Sequence, residues 1–409
     1  MKKTSKSTKQ TAIKKKNAHK EYFFSRECIK NNTVNILVIV AAIAAFNYFR
    51  TPTFKIDTKT KLYQEMPYTH IPDFNDDESQ IDWSWFEIMN ANISKMDLSV
   101  LGDKIKYISF DNNSILPSAD KLPVDFEPEK LLEDGKNPGL GVRDLHAKGI
   151  TGKGITVAII DNGLNVDHQE YKDNLIHYEI IGKAFTNYHG PVVSSLLCGK
   201  NVGVAPDAKL AYFATGIVPT TENEKFDITN DIAALKKILK MNKRLPKDKR
   251  ISAVSISRGW YSDNEHSEEF KDIVSKLIDS GVFVVPVNAR DYYGKVAKFG
   301  VANRKINSNP DNAESYYTRF DDNFIIPAGG RTSAANGNPD YYIYWGDGGW
   351  SWATPYIVGI YALAKQVYSD IKPIEFWQIA RETAYVSEKG TMLIQPTKII
   401  EYLQNKNVK

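Results

Sequence analysis

Cysteine is nearly absent. The 409-residue chain holds two, Cys28 and Cys198, on opposite sides of an apolar stretch, so they cannot pair if that stretch enters a membrane. That excludes a disulfide framework and a cysteine metal site, and leaves stability to an apolar core. Long hydrophobic runs are scarce as well. The uninterrupted stretch Ile36 to Phe46 falls short of the roughly 20 apolar residues of a spanning helix, for which about 17 is the low end. Excess charge is small, a formal +4, and it is local. Residues 1–30 carry ten Lys/Arg against Glu21 and Glu27, which leaves −4 for everything after them. A body of that charge gives no sign of binding nucleic acid. No internal repeat is found.

What is present is globular: 42% hydrophobic and 11% aromatic residues, enough for one large domain or two ordinary ones. The composition divides the chain into four. Residues 1–33 are lysine-rich without apolar period and are expected to be a solvated, disordered, cytoplasmic tail. Residues 34–49, "VNILVIVAAIAAFNYF", admit three readings. A cleaved signal peptide has this apolar length, with small residues at 42–45. An uncleaved anchor contacting the lipid bilayer suits the lysine tail, which the positive-inside rule keeps cytoplasmic. A buried helix of a soluble domain is the third. The first two place the rest of the chain outside the cytoplasm, and a single-pass membrane protein is expected. Residues 50–138 form a linker, an accessory domain or a pro-segment; in them "IDWSWFEIMNANISKMDL" predicts a helix, "DKIKYISFDN" a strand, and the proline-bearing stretch 116–139 an extended connector.

From residue 139 to 409 the pattern changes. "ITVAIID", "APDAKLAYFATG", "ISAVSIS" and "GVFVVPVN" read as apolar strands, and "NDIAALKKILKMN" and "EEFKDIVSKLIDS" as amphipathic helices between them. That alternation predicts an α/β fold, a mainly parallel central sheet with helices on both faces. Ligands of such sheets bind beyond the carboxyl ends of the strands, where Asp161 sits.

Three stretches carry chemistry together: "VAIIDNGLNVDH" with Asp161, "YHGPVVSSLLCG" with His189, and "GDGGWSWATPYIVGIYALA" with Ser351. Each has an ordinary reading alone: a turn aspartate, a capping or surface histidine, a helix N-cap serine. As a set they are an acid, a base and a nucleophile in the order Asp, His, Ser, one of the known orders for this constellation. A serine hydroxyl needs a base to take its proton, the base returns it to the leaving amine, and the carboxylate holds the imidazole. A serine at a helix start gains from unpaired N–H groups, and Pro355 is expected in the first helical turn.

These segments resemble the subtilisin-like serine protease family, whose motifs run D-[ST]-G, H-G-T-H-V-A-G and G-T-S-M-A-T-P. The resemblance, helped by "LHAKGITGKGITVAIID" and "GVAPDAKL", covers about residues 139–405. It implies a subtilisin-like three-layer sandwich and a catalytic triad of Asp161, His189 and Ser351, working on a protein or peptide substrate through an acyl-enzyme, with no cofactor and no metal at the site. Departures are visible. The family's oxyanion asparagine falls on Asn288 with a two-residue gap, or on Arg290 without one. Pro191 and Val192 replace T-H in the histidine motif. The loop "CGKNVGVAP" is too short for the calcium loop of many relatives, and Asp167, His168 and Glu170 fit a structural loop better than a metal. The substrate strand S-L-G-G has its counterpart at Ser257, Arg258 and Gly259, where Arg258 and Trp260 could bias selection toward acidic or aromatic side chains. The leading expectation is an extracytoplasmic serine endopeptidase. The alternatives are a pseudoprotease that binds peptides or scaffolds an assembly, and a processing enzyme for one membrane protein.

Overall fold

The computed structural model describes residues 53–57, 68–72, 86–216, 227–259, 264–320 and 324–407. The basic tail, the apolar segment 34–49 and Trp260 lie outside them. Among the described residues no helix is long and apolar enough to cross a membrane.

Strands β1 (Tyr68–His70), β2 (Glu87–Met89) and β3 (Ser109–Asp111) come first, followed by helix α1 (Pro128–Asp134) and helix α2 (Val142–Ala147). Of the tryptophan-rich segment expected to be a helix, the described part, residues 86–98, is instead β2 followed by turns. Period 3.6 loses here because Phe86, Glu87, Ile88 and Met89 are all buried, which a short strand between two neighbours achieves and a surface helix does not. The proline-bearing stretch is likewise not wholly extended. Pro128 opens α1 at a position where its missing N–H costs nothing.

The next strands are β4 (Thr156–Asp161), β5 (Leu175–Ile181), β6 (Lys209–Thr215), β7 (Ile251–Ile256) and β8 (Phe283–Pro286), with α3 (His189–Cys198), α4 (Thr229–Asn242) and α5 (Ser267–Asp279) between them. They form one all-parallel sheet in the order β5-β6-β4-β7-β8. Every residue of β4 is buried, as a central strand covered on both faces requires. Val157 and Ile159 face one core, shared with α3. Ala158 and Ile160 face the other, shared with α4 and α5. The predicted α/β architecture is therefore observed. The outer edge of β5 is covered by residues 55–57: Lys55 O accepts from Tyr178 N, and Asp57 N donates to Tyr178 O, each at 2.9 Å.

Beyond a short helix, α6 (Arg290–Tyr293), come β9 (Gly300–Arg304), β10 (Tyr316–Tyr317), β11 (Phe324–Gly329), β12 (Arg331–Ala334) and β13 (Tyr342–Trp345). They are followed by the long helix α7 (Trp350–Val367), α8 (Pro373–Glu382), β14 (Tyr385–Val386), β15 (Met392–Leu393) and α9 (Pro396–Asn407). A second sheet runs β1-β2-β3-β13-β12. In it β3 pairs antiparallel with β13, so residues expected to precede the main domain lie against the strand that leads to Ser351. Phe86, Ile88, Phe110, Phe126, Leu131 and Tyr344 share one core there. By contacts Phe54–Lys409 is a single compact unit, with no boundary at 138/139.

Candidate active site

Parallel strands end together, and here the ends carry polar residues. Asp161 closes β4, Thr215 closes β6, Ser257 follows β7, and Asn288 lies two residues beyond β8. All four belong to one carboxyl rim, where an α/β sheet leaves room for a ligand. Two helices from the same face complete it, α3 beginning with His189 and α7 carrying Ser351 as its second residue.

Asp161 and His189 meet directly. Imidazole Nδ1 lies 2.7 Å from Asp161 Oδ1, and that oxygen also accepts from Asn162 N at 2.7 Å. The carboxylate is fully buried, while the imidazole is 19% exposed, so one partner is fixed and the other reachable. Burial pushes the Asp161 carboxyl up, but His189, the Arg258 guanidinium and the Asn162 amide outweigh it and hold it below the usual carboxylate range. Gly190 makes the approach possible, since a Cβ there would stand 2.6 Å from Gly163 O. Aromatic rings enclose the imidazole: Trp352 lies 5.2 Å from it between ring centroids, and Trp345 lies 4.9 Å from Trp352.

Ser351 is half-buried and bonded to the neighbouring strand end in both directions. Its Oγ donates to Ser257 O at 3.1 Å, and its own carbonyl accepts from Ser257 Oγ at 2.9 Å. The hydroxyl thus rests on Ser257, not on His189. Pro355 explains the second bond. It lies inside α7 rather than in its first turn; lacking an N–H, it cannot donate to the carbonyl four residues back, which is that of Ser351. Ser257 Oγ fills the gap.

Other expected residues are placed as follows. Asn288 is half-buried, its Nδ2 donates to Asp291 Oδ2 at 2.8 Å, and its Oδ1 would stand 3.5 Å from a Cβ at Gly259. Arg290 is exposed at the start of α6. Gly259 is exposed and Ser257 buried. Arg258 corrects the expectation of a cleft-facing cation. It is 7% exposed and turned inward, donating to Asp231, Thr215 and Asn162. A carboxylate already buried on α4 draws the guanidinium under the rim. In the loop near His168, Glu170 accepts from Asn201 N, Asn201 Nδ2 and the Tyr342 hydroxyl, and His168 Nε2 lies 2.8 Å from Tyr341 O, which ties that loop to β13.

Two residues that hold the site escaped the sequence reading. Asn303 Oδ1 accepts from Gly329 N at 3.0 Å and Gly348 N at 3.1 Å, pinning the glycine turn before Ser351. Its signal was an asparagine directly after the apolar Val301–Ala302 of a strand. Asp231 carried a similar one, an acid on the apolar face of a helix beside Ile228, Ile232 and Leu235.

With this geometry in hand, known proteins supply the comparison. The Subtilase family profile matches residues 152–297, a span that includes Asp161 and His189 and ends before Ser351. Subtilisin-like protease 2 of Arthroderma otae is 32% identical over 154 residues, 36% of this chain and 33% of that protein. The minor extracellular protease Epr of Bacillus subtilis (strain 168) is 24% identical over 281 residues, 63% of this chain and 40% of that protein. The matched part of the chain thus spans well under half the length of these relatives. Among solved structures, the prenylagaramide maturation protease PagA aligns with a TM-score of 0.47 at 14% identity, covering 65% of this chain and 99% of that one. Residues 152–297 of this chain are thus similar to the Subtilase family, and subtilisin-like proteases are among the proteins it resembles.

Proposed function

We propose that the chain is a serine endopeptidase that cleaves protein or peptide substrates outside the cytoplasm, held at the lipid bilayer by residues 34–49. The observation that carries the chemistry is the 2.7 Å bond between His189 Nδ1 and the buried Asp161 carboxylate, on the rim that also holds Ser351 at the start of a helix. Asp161 keeps the proton on Nδ1 and so leaves Nε2 as the basic nitrogen. Ser351 exchanges its resting partner, Ser257 O, for that nitrogen and attacks the scissile carbonyl; His189 takes the hydroxyl proton and returns it to the leaving amine. Water then attacks the acyl-enzyme, with His189 again as base. The tetrahedral oxygen is met by N–H groups of the first turn of α7 and by Asn288, whose amide turns away from Asp291. An extended substrate segment lies along Ser257–Gly259. The lysine tail and the apolar segment support the anchored, extracytoplasmic placement through the positive-inside rule.

The test is hydrolysis of an unfolded protein by wild type and by Ser351→Ala. Turnover should fall by about 10⁴-fold or more in the variant. Equal turnover would remove Ser351 from the mechanism, and a wild type that binds but never cleaves would favour the pseudoprotease reading.

A further inference from the structure

We infer that Arg258 is a positioning residue: its buried guanidinium fixes the Asp161–Asn162 turn and sets the charge that His189 feels. The inference rests on the reading of Asp161 and His189 as acid and base of one site.

Two departures from the family motifs meet in space. Asn162 stands where the aspartate motif has Ser or Thr, and Arg258 stands where the substrate strand has Leu. Arg258 Nη2 donates to Asn162 Oδ1 at 2.8 Å and to Thr215 O at 3.0 Å. Nη1 donates to Thr215 Oγ1 at 2.8 Å and to Asp231 Oδ1 at 3.0 Å. The guanidinium therefore joins the ends of β4, β6 and β7 to α4, and its side chain is only 6% exposed. Nη2 also stands 3.8 Å from Asp161 Oδ1, the oxygen that receives His189 Nδ1. That is beyond a hydrogen bond yet close enough for an opposite charge to favour the ionised carboxyl. The other titratable groups facing this cluster are Asp231, His189 and Tyr212, whose hydroxyl donates to Asn162 O. Asp231 is pushed up by burial, opposed by Arg258, while Arg258, which burial would push down, is carried above its ordinary value by Asp231 and Asp161. A buried ion pair returns little net stability over an apolar pair of the same size. Stability alone therefore does not account for a cation placed between two carboxylates, one of them the partner of the base.

Full-length protein carrying Arg258→Met with Asp231→Asn removes both charges without stranding either. The ring nitrogens of His189, assigned by their loss in His189→Gln, are titrated by NMR, and the acid limb of kcat/KM is measured alongside. With the cation gone, Asp161 stabilises the imidazolium more strongly, so the His189 pKa should rise by about half a unit or more. The acid limb should move with it, and kcat should fall about tenfold while KM changes less than about twofold. Arg258→Lys, which keeps the charge but not the fork, should hold the pKa within about 0.2 units and still lose several-fold in kcat. It decides the matter if the double variant does not fold. A pKa within about 0.2 units of wild type in the double variant, or kcat unchanged within about twofold in Arg258→Lys, overturns the inference. If wild type proves inactive, the activity reading fails separately, and the His189 titration still decides the role of Arg258.

Discussion

At the residue scale the site depends on what Pro355 cannot do. Its missing N–H leaves the Ser351 carbonyl without its helical donor, and Ser257 Oγ supplies one from the end of β7. The same two residues are joined again through the Ser351 hydroxyl, so Ser351 is tied to the end of β7 by both its side chain and its carbonyl. Ser257→Ala should therefore destabilise the protein by about 1 kcal/mol, read as a lowered denaturation midpoint. In a Pro355→Ala background, where the chain regains an N–H for Ser351 O, the same substitution should cost less by about 0.5 kcal/mol; strict additivity would contradict the assigned bond. The pairing of Asp161 with His189 was legible in the sequence, where motif spacing brings an acid and a base to one strand end. The direction of Arg258 was not. Whether a cation on a strand end faces solvent or core depends on which carboxylate waits beneath it, and Asp231 lies 27 positions away in another element.

At the scale of elements, the parallel strands and their covering helices were readable because continuous apolar runs alternate with amphipathic periods. The second sheet was not. Short strands such as β2, buried by neighbours far off in sequence, carry no period of their own. Glu87 illustrates the consequence. It lies on β2 between β1 and β3, its Oε2 has no hydrogen-bond partner among the described residues, and burial pushes its carboxyl up to about 7. A carboxyl whose folded value is raised contributes its full stability below its unfolded value near 4.5 and loses it as pH climbs toward 7. Glu87→Gln should therefore raise stability at pH 8 by about 2 kcal/mol and change little at pH 4. Denaturant midpoints at the two pH values check this; an equal shift at both would mean that ionisation of Glu87 is not the cause.

At the scale of the whole molecule, described residues between 86 and 138 share a core with the strand that leads to Ser351. β3 hydrogen-bonds to β13, and Phe110 packs against Phe126 and Tyr344 at ring-centroid distances of 6.2 and 5.4 Å. Phe110→Ala should cost about 3–5 kcal/mol, and through β13 it should also reduce activity, whereas a detachable pro-segment would let the domain keep both. Global unfolding followed by circular dichroism, with turnover measured on the same samples, separates the two outcomes.

The central claim is that the strand-end carboxylate, the imidazole and the hydroxyl act as one unit. Mass mapping after treatment with a fluorophosphonate tests it most directly. The adduct is expected on Ser351 of the wild type, with labelling slowed about 10³-fold or more in His189→Ala and in Asp161→Asn. An adduct on any other serine, or a Ser351 adduct that forms as fast without His189, would contradict the account.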